Sequence, residues 1–554
     1  MARLFDPNNR AYFERKKAAA KLELQSFLPH YRDCAEFVQP RRGRFLLSDV
    51  NKGGSRYEKI INSRATWAHR VCVAGLLNGV MSASRPWFAL EDEDPDMMEY
   101  QPIKEWLYKT ETLMRGIFNS SNLYDAAPVM LSELILFATA NMAHTKDFDT
   151  VARFYTHTAG SYMLGQDSKG RINTMIREYQ MTTEQLIEEF GLENVSGTVK
   201  NAYDRGDYCV WFPVTEVIEP NPNYDQTKKL SQYKRFRSVK YETSAFGNTN
   251  SSSGDKFLSK KGYDRFPNYC LRWALTGEDV YGTDCPTMTA LGDISQLQIE
   301  EQRKAQAIDK LVNPPLHGPA SLRSSQVSVL PGGLTVYDSF QGGTQLGPIY
   351  QVDPRISELR QDMDAVERRI DNAYFVDLWL AISNMEGIQP RNQLDLSQRN
   401  GERLLQLGPV LERLHGDFLS PLIENTFSDM AEAGILPPPP PELQGRPLRT
   451  KFISSIAMAQ REMATGGMDR LVAFTGGLVS MGLSDGKKLD GDQLIDEYAM
   501  AVGVPPRVVV PDEIVAAQRE KEAEAQEQAN AAQVATTAAD VGQKLAKAEA
   551  DGNR

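Results

Sequence analysis

Two helix-length stretches separated by a segment rich in Gly and Pro constrain the fold of this 554-residue chain more than any other feature. Residues 288–312 carry apolar side chains at steps of three and four, which predicts a helix. That helix must stop before Pro314 and Pro315, because proline lacks the backbone N–H and restricts the residue that precedes it. Residues 353–383 repeat the helical spacing. We therefore predict two consecutive long helices joined by a compact knuckle over 313–352.

The second of these stretches has an apolar stripe that is typical of a helix packed against other helices. The stripe supplies the candidate seam residues Ile356, Leu359, Met363, Val366 and Ile370. We expect the stripe to be half exposed in a single chain.

The remaining patterns predict an α+β protein that is mostly helical. Residues 181–191 have a complete helix pattern, with Thr182 or Thr183 as the cap and Gly191 after the last turn. The tail, 513–554, has almost no large apolar side chain after its first residues, so it cannot bury enough surface to fold alone. It forms either a helix packed against copies of itself or a disordered tail.

Two further helical predictions carry a proline or a buried charge. The most hydrophobic stretch, 129–143, contains Glu133 and is too short to span a bilayer, so we interpret it as a buried helix. Residues 401–433 have a helical pattern that is interrupted at Pro409 and again near Pro421, which predicts a kinked helix or a helix pair.

Charge and cysteine content exclude several classes of protein. The formal net charge is −11, whereas a protein built to grip nucleic acid is usually basic. The five cysteines are scattered and form no C-x-x-C pair, so neither a disulfide framework nor a thiolate zinc site is indicated. This pattern fits a reducing compartment. The N-terminal residues are charged and lack the apolar run of a signal peptide.

The sequence offers no recognisable catalytic or metal-binding pattern. Neither 247–256 nor 482–487 has the spacing of a phosphate-binding loop, and no G-x-S-x-G motif is present. The six histidines are too dispersed for a helical metal pair. We predict no catalytic residue, no metal and no cofactor, and hence a protein that is not an enzyme.

Four stretches in a characteristic order carry a resemblance to a known family. They are GLLNGVMSASRPWFAL (75–90), the segment from GSYMLGQDSKGRINTMIREY to EEFG (160–191), GEDVYGTDCPTMTALGDISQLQIEEQRKAQAIDKLVNPPL (277–316) and GERLLQLGPVLERLHGDFLSPLIENTFSDMAEAGILPPPPPEL (401–443). Together they resemble the portal proteins, or head-to-tail connectors, of short-tailed, podovirus-type double-stranded DNA bacteriophages. The resemblance covers roughly residues 20–510, and it departs from the family pattern at 391–400.

The resemblance implies a portal fold whose parts follow one another along the chain. The implied parts are an N-terminal wing (1–287), a first stem helix (288–312), a clip (313–352), a second stem helix (353–383), a channel or tunnel loop (384–400), kinked wing helices with a Pro-rich spacer (401–449), a crown (450–512) and the C-terminal tail (513–554). It also implies a ring of twelve subunits at one capsid vertex, around a channel through which double-stranded DNA is packaged and ejected. In such a ring, neighbouring copies would cover the apolar stripe of 356–373. The implied partners are terminase, then tail adaptor and nozzle proteins, together with major capsid and scaffolding proteins, and no membrane. The implied location is the virion, after assembly in the host bacterial cytoplasm.

The same resemblance nominates residues for three roles. The candidates that line the channel are Lys304, Lys310, Arg355, Glu358, Asp362 and Arg369. The tunnel-loop candidates are Asn384, Glu386, Gln389, Arg391, Asn392 and Gln393. The candidates for docking at the clip are His317, Arg323, Tyr337 and Asp338.

A channel wall for moving DNA must bind it weakly. A helix of about 20 residues is roughly 30 Å long, and about 18 phosphates of a duplex lie within that length. If each phosphate met a fixed cation, the DNA would stall. Mixed charges on 353–370 suit a conduit, and Lys304 and Lys310 form either sparse basic rings or salt bridges between subunits.

Two other classes of protein remain as alternatives. Another ring protein of the virion, such as a tail adaptor, should be much shorter and lack the paired stem helices. An enzyme with an unrecognised site is the third possibility, and the missing catalytic constellation disfavours it.

Overall fold

A computed structural model describes most of the chain between residues 9 and 443 and short pieces beyond. The described residues are 9–43, 54–92, 94, 100–228, 230–243, 257–312, 316–317, 347–348, 356–383, 407–443, 448–452, 471–477, 491, 493–495, 510, 515 and 518–522. The chain divides into two compact units. Unit 1 comprises Met1–Ala83 and Gly116–Gly434, and unit 2 comprises Ser84–Arg115 and Ile435–Arg554.

Helices and antiparallel sheets both contribute, which confirms the predicted α+β class. The helices are α1 (Arg10–Val38), α2 (Arg64–Val80), α3 (Gln101–Ser120), α4 (Leu123–Phe137), α5 (Thr183–Phe190), α6 (Gly197–Asp204), α7 (Pro286–Val312), α8 (Ile356–Ala373), α9 (Val376–Ser383), α10 (407–414) and α11 (Ser420–Glu432). The strands are β1 (Phe88–Asp92), β2 (Thr139–Asp147), β3 (Val151–His157), β4 (Tyr162–Gln166), β5 (Ile172–Thr182), β6 (Trp211–Pro220), β7 (Phe236–Glu242), β8 (Ser259–Tyr263), β9 (Asn268–Arg272), β10 (Leu316–His317), β11 (Gly347–Pro348) and β12 (Leu448–Phe452).

Unit 1 contains a five-stranded antiparallel sheet in the order β4-β5-β6-β7-β8 and a three-stranded sheet in the order β3-β2-β9. Helix α1 is fixed to the larger sheet around the buried carboxylate of Glu219. Lys16 Nζ lies 2.5 Å from this carboxylate, and Arg237 Nε donates to it at 2.8 Å. A buried charge is tolerated when it is paired and hydrogen-bonded in this way.

The predicted helix over 181–191 is confirmed as α5. Thr182 accepts a hydrogen bond from the backbone N–H of Gln185, and the Gln185 side chain accepts one from the N–H of Thr182, which makes a capping box. Gly191 ends the helix with a φ of +77°. The apolar face of α5 packs with α6 against the sheet, where Leu186 joins a cluster that includes Val214.

The interpretation of 129–143 as one buried helix is wrong at its second half. Helix α4 stops at Phe137, Ala138 takes a left-handed conformation, and β2 starts at Thr139. Ala138 O accepts a hydrogen bond from Trp273 N at 2.9 Å, and β2 pairs with β9 from Thr139 onward. Because strand pairing satisfies the backbone as fully as a helix, the tertiary partner decides the state of an apolar run.

The segment 353–383 also differs from the single helix that its spacing predicts. Helix α8 ends at Ala373, and α9 starts at Val376 after a turn in which Phe375 has a φ of +56°. The turn allows α9 to pack on α2 so closely that a Cβ added at Gly75 would lie 2.5 Å from Trp379 Cδ2. The helical spacing of 353–383 cannot predict this contact, because α2 lies far away in the sequence.

Of the two interruptions predicted between 401 and 433, the one near Pro421 is a π-helical turn, whereas the one at Pro409 is wrong because the helix continues through that residue. Residues 407–414 are helical, His415–Leu419 form the π turn, and α11 follows. Pro421 lies just after the turn, where a regular helix would bring its ring against the carbonyl of residue 417. A π turn is one of the known ways in which a helix bends around such an obstacle.

Unit 2 has its own antiparallel pair, in which β1 and β12 align Phe88 with Phe452. Trp106 Nε1 donates to Pro437 O at 3.0 Å, and Leu90 N donates to Glu111 Oε1 at 2.7 Å. The first hydrogen bond joins α3 to the segment after Gly434, and the second joins β1 to α3.

Candidate functional site

The two predicted long helices, α7 and α8, pack against each other as an antiparallel hairpin. At one end, Thr287 Oγ1 lies 2.8 Å from Tyr374 OH, and both side chains are buried. Further along, Arg369 Nε donates to Asp293 Oδ1 at 2.8 Å. Residue numbers therefore rise on α7 as they fall on α8. This arrangement was the central geometric expectation from the sequence.

The described residues of the 313–352 knuckle form a short antiparallel pair of strands. Strands β10 and β11 bring Leu316 opposite Pro348 and His317 opposite Gly347. The His317 side chain is exposed. The other docking candidates, Arg323, Tyr337 and Asp338, lie outside the described residues, as do the tunnel-loop candidates Asn384, Glu386, Gln389, Arg391, Asn392 and Gln393.

A buried glutamine fixes the segment before α2 to the hairpin. Gln298 Oε1 accepts hydrogen bonds from Ile61 N at 2.7 Å and from Asn62 N at 2.8 Å, and Gln298 Nε2 donates to Asn62 O at 2.9 Å. All of these bonds join residues more than 230 positions apart. They satisfy the side-chain amide of Gln298, which burial would otherwise leave without a partner.

An arginine at the start of α2 makes the second attachment. Arg64 Nε donates to Asp371 Oδ1 at 2.9 Å, Nη2 pairs with Oδ2 of the same carboxylate, and the hydrogen bond raises the pKa of Arg64. Its guanidinium lies 4.5 Å from the Trp67 ring centroid. A bidentate pair of this kind adds geometric specificity. Neither Gln298 nor Arg64 was nominated from the sequence, because no local pattern marks a partner so far away.

The apolar stripe of α8 is mostly covered by the chain itself, which corrects the expectation that it is half exposed. Met363, Val366 and Ile370 are buried, and α7 and α2 pack against α8. Ile356 and Leu359 are partly buried. The expectation was wrong because the heptad spacing shows that a helix has a partner but cannot show whether the partner belongs to the same chain.

The stripe of α7 changes from buried to exposed along its length. Ile294 and Leu297 are fully buried near the base of the hairpin. Towards the knuckle, Ile308 is 42%, Leu311 is 47% and Val312 is 71% exposed. These three side chains are grouped at one end of the helix and are candidates for contact with another molecule.

The candidates for lining a channel have different surroundings. Lys304 Nζ lies 2.5 Å from Glu301 Oε1 of the same helix, and Arg369, 48% exposed at its side chain, forms the pair with Asp293. Lys310, Glu358 and Asp362 are exposed, and Arg355 lies outside the described residues. The exposed charges have both signs, and exposed ion pairs of this kind are weak.

The described residues provide neither a metal site nor a membrane span. No group of three His, Cys, Asp or Glu side chains there is placed to hold a metal ion. In the same part of the chain, no helix combines the length and the apolar character that a bilayer crossing needs.

Comparison with known proteins gives consistent matches over nearly the whole chain. The family model described as bacteriophage head to tail connecting protein matches residues 12–510. The portal protein of Salmonella phage epsilon15 is 41% identical over 516 residues, which is 93% of this chain and 91% of that protein. The probable portal protein of Bordetella phage BPP-1 is 39% identical over 526 residues, which is 95% of this chain and 93% of that protein. A chain from the virion of a native gene transfer agent particle has 11% identity and a TM-score of 0.32 over 76% of this chain and 94% of that chain, which is too distant to bear on the argument.

Proposed function

The chain belongs to the bacteriophage head to tail connecting protein family, and we propose that it is the portal subunit of a short-tailed phage. Copies of the chain form a ring, of twelve subunits by analogy with the family, at one vertex of the capsid. Double-stranded DNA passes through the central hole when the genome is packaged and when it is ejected. One observation carries the proposal: α7 and α8 form an antiparallel hairpin whose far end is apolar and exposed.

The exposed end of the hairpin supports ring formation. A single subunit leaves Ile308, Leu311 and Val312 in contact with water. Burial of apolar surface is the main favourable term in association, at about 25 cal/mol per Å². In a closed ring every hairpin has a neighbour on each side, so every copy covers the same surface.

The charges of the hairpin suit a wall along which DNA slides. Helix α7 has 27 residues and is therefore about 40 Å long, a length over which a duplex carries about 24 charges. The exposed cations of the described hairpin, which include Lys310 and Arg360, are interspersed along the sequence with exposed Glu358, Asp362 and Asp364, so its surface has charges of both signs. Contact with DNA is then weak and independent of base sequence.

The remaining parts take the roles that the family plan gives them. Residues 1–287 and 401–449 form the wing, 288–312 and 353–383 the stem, 313–352 the clip, 384–400 the channel loop and 450–512 the crown. The clip, which includes the exposed His317, binds terminase during packaging and then tail adaptor and nozzle proteins. The wing and crown contact major capsid and scaffolding proteins while the virion assembles in the host cytoplasm.

Thiol labelling of the assembled ring tests this placement. Cys209 is the exposed cysteine and the other four are buried, so a Cys209→Ser background leaves no reactive thiol on the surface. Single cysteines are then introduced by Lys310→Cys and Asp362→Cys on the hairpin, and by Lys169→Cys in the exposed β4–β5 turn as the matched control.

Two maleimides distinguish the outcomes. A small maleimide should label all three variants. A maleimide carried on a gold particle wider than the central hole should label Lys169→Cys but neither hairpin variant. Equal labelling of the three variants by the particle would contradict a channel position for α7 and α8.

A further inference from the structure

The sheet edge at β7 and β8 is strongly basic, although the whole chain is acidic. Residues 220–266 contain ten Lys or Arg and four Asp or Glu, against a net charge of −11 for the chain. Strands β7 and β8 supply much of this surface, and neither belongs to the α7–α8 hairpin. The passage of DNA through a central hole gives this surface no role.

Three cations at this edge have no acidic partner among the described residues. Lys234 pairs with Asp264 at 2.7 Å, and Lys240 pairs with Glu189 at 2.9 Å. By contrast, Arg235, Lys260 and Lys261 are exposed, and no carboxylate in the described part of the chain lies within ion-pair distance of them. Unpaired cations in a cluster create a positive potential that attracts a polyanion.

Aromatic rings hold two of these cations at the surface. Lys260 Nζ lies 4.2 Å from the Phe257 ring centroid, and Arg235 Cζ lies 5.8 Å from that of Phe236. Such contacts keep the side chains in place without neutralising them, because an aromatic ring carries no net charge.

The edge position distributes the cations along one strand and on both of its sides. Among the described strands, β8 ends the five-stranded sheet, and it pairs only with β7. Lys260 and Lys261 are adjacent on β8, so they point to opposite faces of the sheet. Arg235 directly precedes β7, the neighbouring strand. Cations distributed in this way suit a repeating polyanion better than they suit one carboxylate or one phosphate.

We propose that the sheet edge carrying Arg235, Lys260 and Lys261 binds the phosphate backbone of duplex DNA outside the central hole. The proposal rests on the portal function, which brings long duplex DNA next to the ring. The same lysines would also suit recognition of an acidic protein, or they would prevent edge-to-edge pairing of strands. Each of these three roles gives a different result when the ring is mixed with closed circular DNA.

Covalently closed circular DNA separates this surface from the channel, because a circle cannot thread through a ring. Binding of the assembled full-length ring to a closed circle is measured by fluorescence anisotropy across a series of salt concentrations. The test variant is Lys260→Gln with Lys261→Gln. The matched control is Lys169→Gln with Arg171→Gln, which removes the same charge from exposed residues of the β4–β5 turn at the opposite edge of the same sheet.

The unaltered ring and the control should bind the circle with the same salt dependence. In the test variant the slope of log K against log[salt] should fall by about 1.8 for each subunit in contact, and affinity at 0.1 M salt should fall about 50-fold or more. Equal binding by test and control variants would overturn the proposal and leave edge protection as the role. Displacement of the circle by polyglutamate at a charge concentration far below that of the DNA phosphates would overturn it in favour of an acidic protein partner. Because ring formation is scored separately by electron microscopy, failure here does not depend on failure of the portal function.

Discussion

Replacement of Val366 by aspartate distinguishes a stripe covered by the same chain from one covered by neighbouring subunits. Val366 is fully buried on α8, with α7 and α2 packed against that helix. The substitution removes a buried valine, which costs about 1.5–3 kcal/mol, and it places a carboxyl group in the core. To stay neutral at pH 7, that carboxyl must keep its proton about 3 units above its ordinary pKa of about 3.9, which costs roughly 4 kcal/mol at 1.36 kcal/mol per unit.

The sum, roughly 6–7 kcal/mol, is comparable with the whole stability of a typical domain. We therefore expect Val366→Asp subunits to lose their fold before any question of assembly arises. The matched control is Ala365→Asp, one position earlier on the exposed side of α8. It should change the free energy of unfolding by less than about 1 kcal/mol.

Circular dichroism and urea unfolding of freshly purified subunits measure the effect, and Val366→Ala gives a milder variant if the aspartate form is insoluble. We expect Val366→Ala to cost about 2 kcal/mol. A Val366→Asp chain with unaltered unfolding that fails only to form rings would refute the reasoning, because it would place the stripe at a subunit interface.

Two further predictions concern the packing of α9 and a buried carboxyl group. Gly75→Ala should destabilise unit 1 by about 1–3 kcal/mol, because the added Cβ would lie 2.5 Å from Trp379. The control Gly116→Ala on α3, where an added Cβ meets nothing within 4 Å, should stabilise the unit by about 0.5–1 kcal/mol. Urea midpoints that move in the same direction for both variants would count against the α2–α9 packing. Burial raises the pKa of Glu133 to about 7 from an ordinary 4.5, so the folded chain retains a proton that the unfolded chain has released, and stability falls as pH rises through that window. The stability of Glu133→Gln relative to the unaltered chain should therefore rise by up to about 3 kcal/mol between pH 4.5 and pH 8, and parallel stability curves for the two proteins would contradict this.

The sequence predicted elements whose determinants are local. Helix α5 was located because Thr182 and Gly191 mark its two ends. The stop of α7 follows from Pro314 and Pro315 shortly after Val312. In each case a few neighbouring residues contain the whole physical reason.

Other features depend on residues far away in the chain and could not be read locally. The change from helix to strand at Ala138 requires β9, which lies more than 100 residues later. The break at Phe375 accompanies the packing of Trp379 on Gly75. Within the candidate site, the pairing of the two long helices was predicted, but the attachments made by Gln298 and Arg64 were not.

The net charge of the chain does not predict what each part of its surface binds. A net charge of −11 argued against DNA binding, yet the total conceals a basic sheet edge on which Arg235, Lys260 and Lys261 have no acidic partner among the described residues. Electrostatic attraction is local, since charges further apart than about 10 Å are largely screened at 0.1 M salt. The arrangement of charges, more than their sum, decides what a surface binds.

Electron cryomicroscopy of the purified, assembled chain tests the central claim most directly. We predict a closed ring in which every α7–α8 hairpin faces the axis, with Ile308, Leu311 and Val312 of each copy covered by its neighbours. A ring whose hairpins point outward, or an assembly without a central hole, would contradict the account.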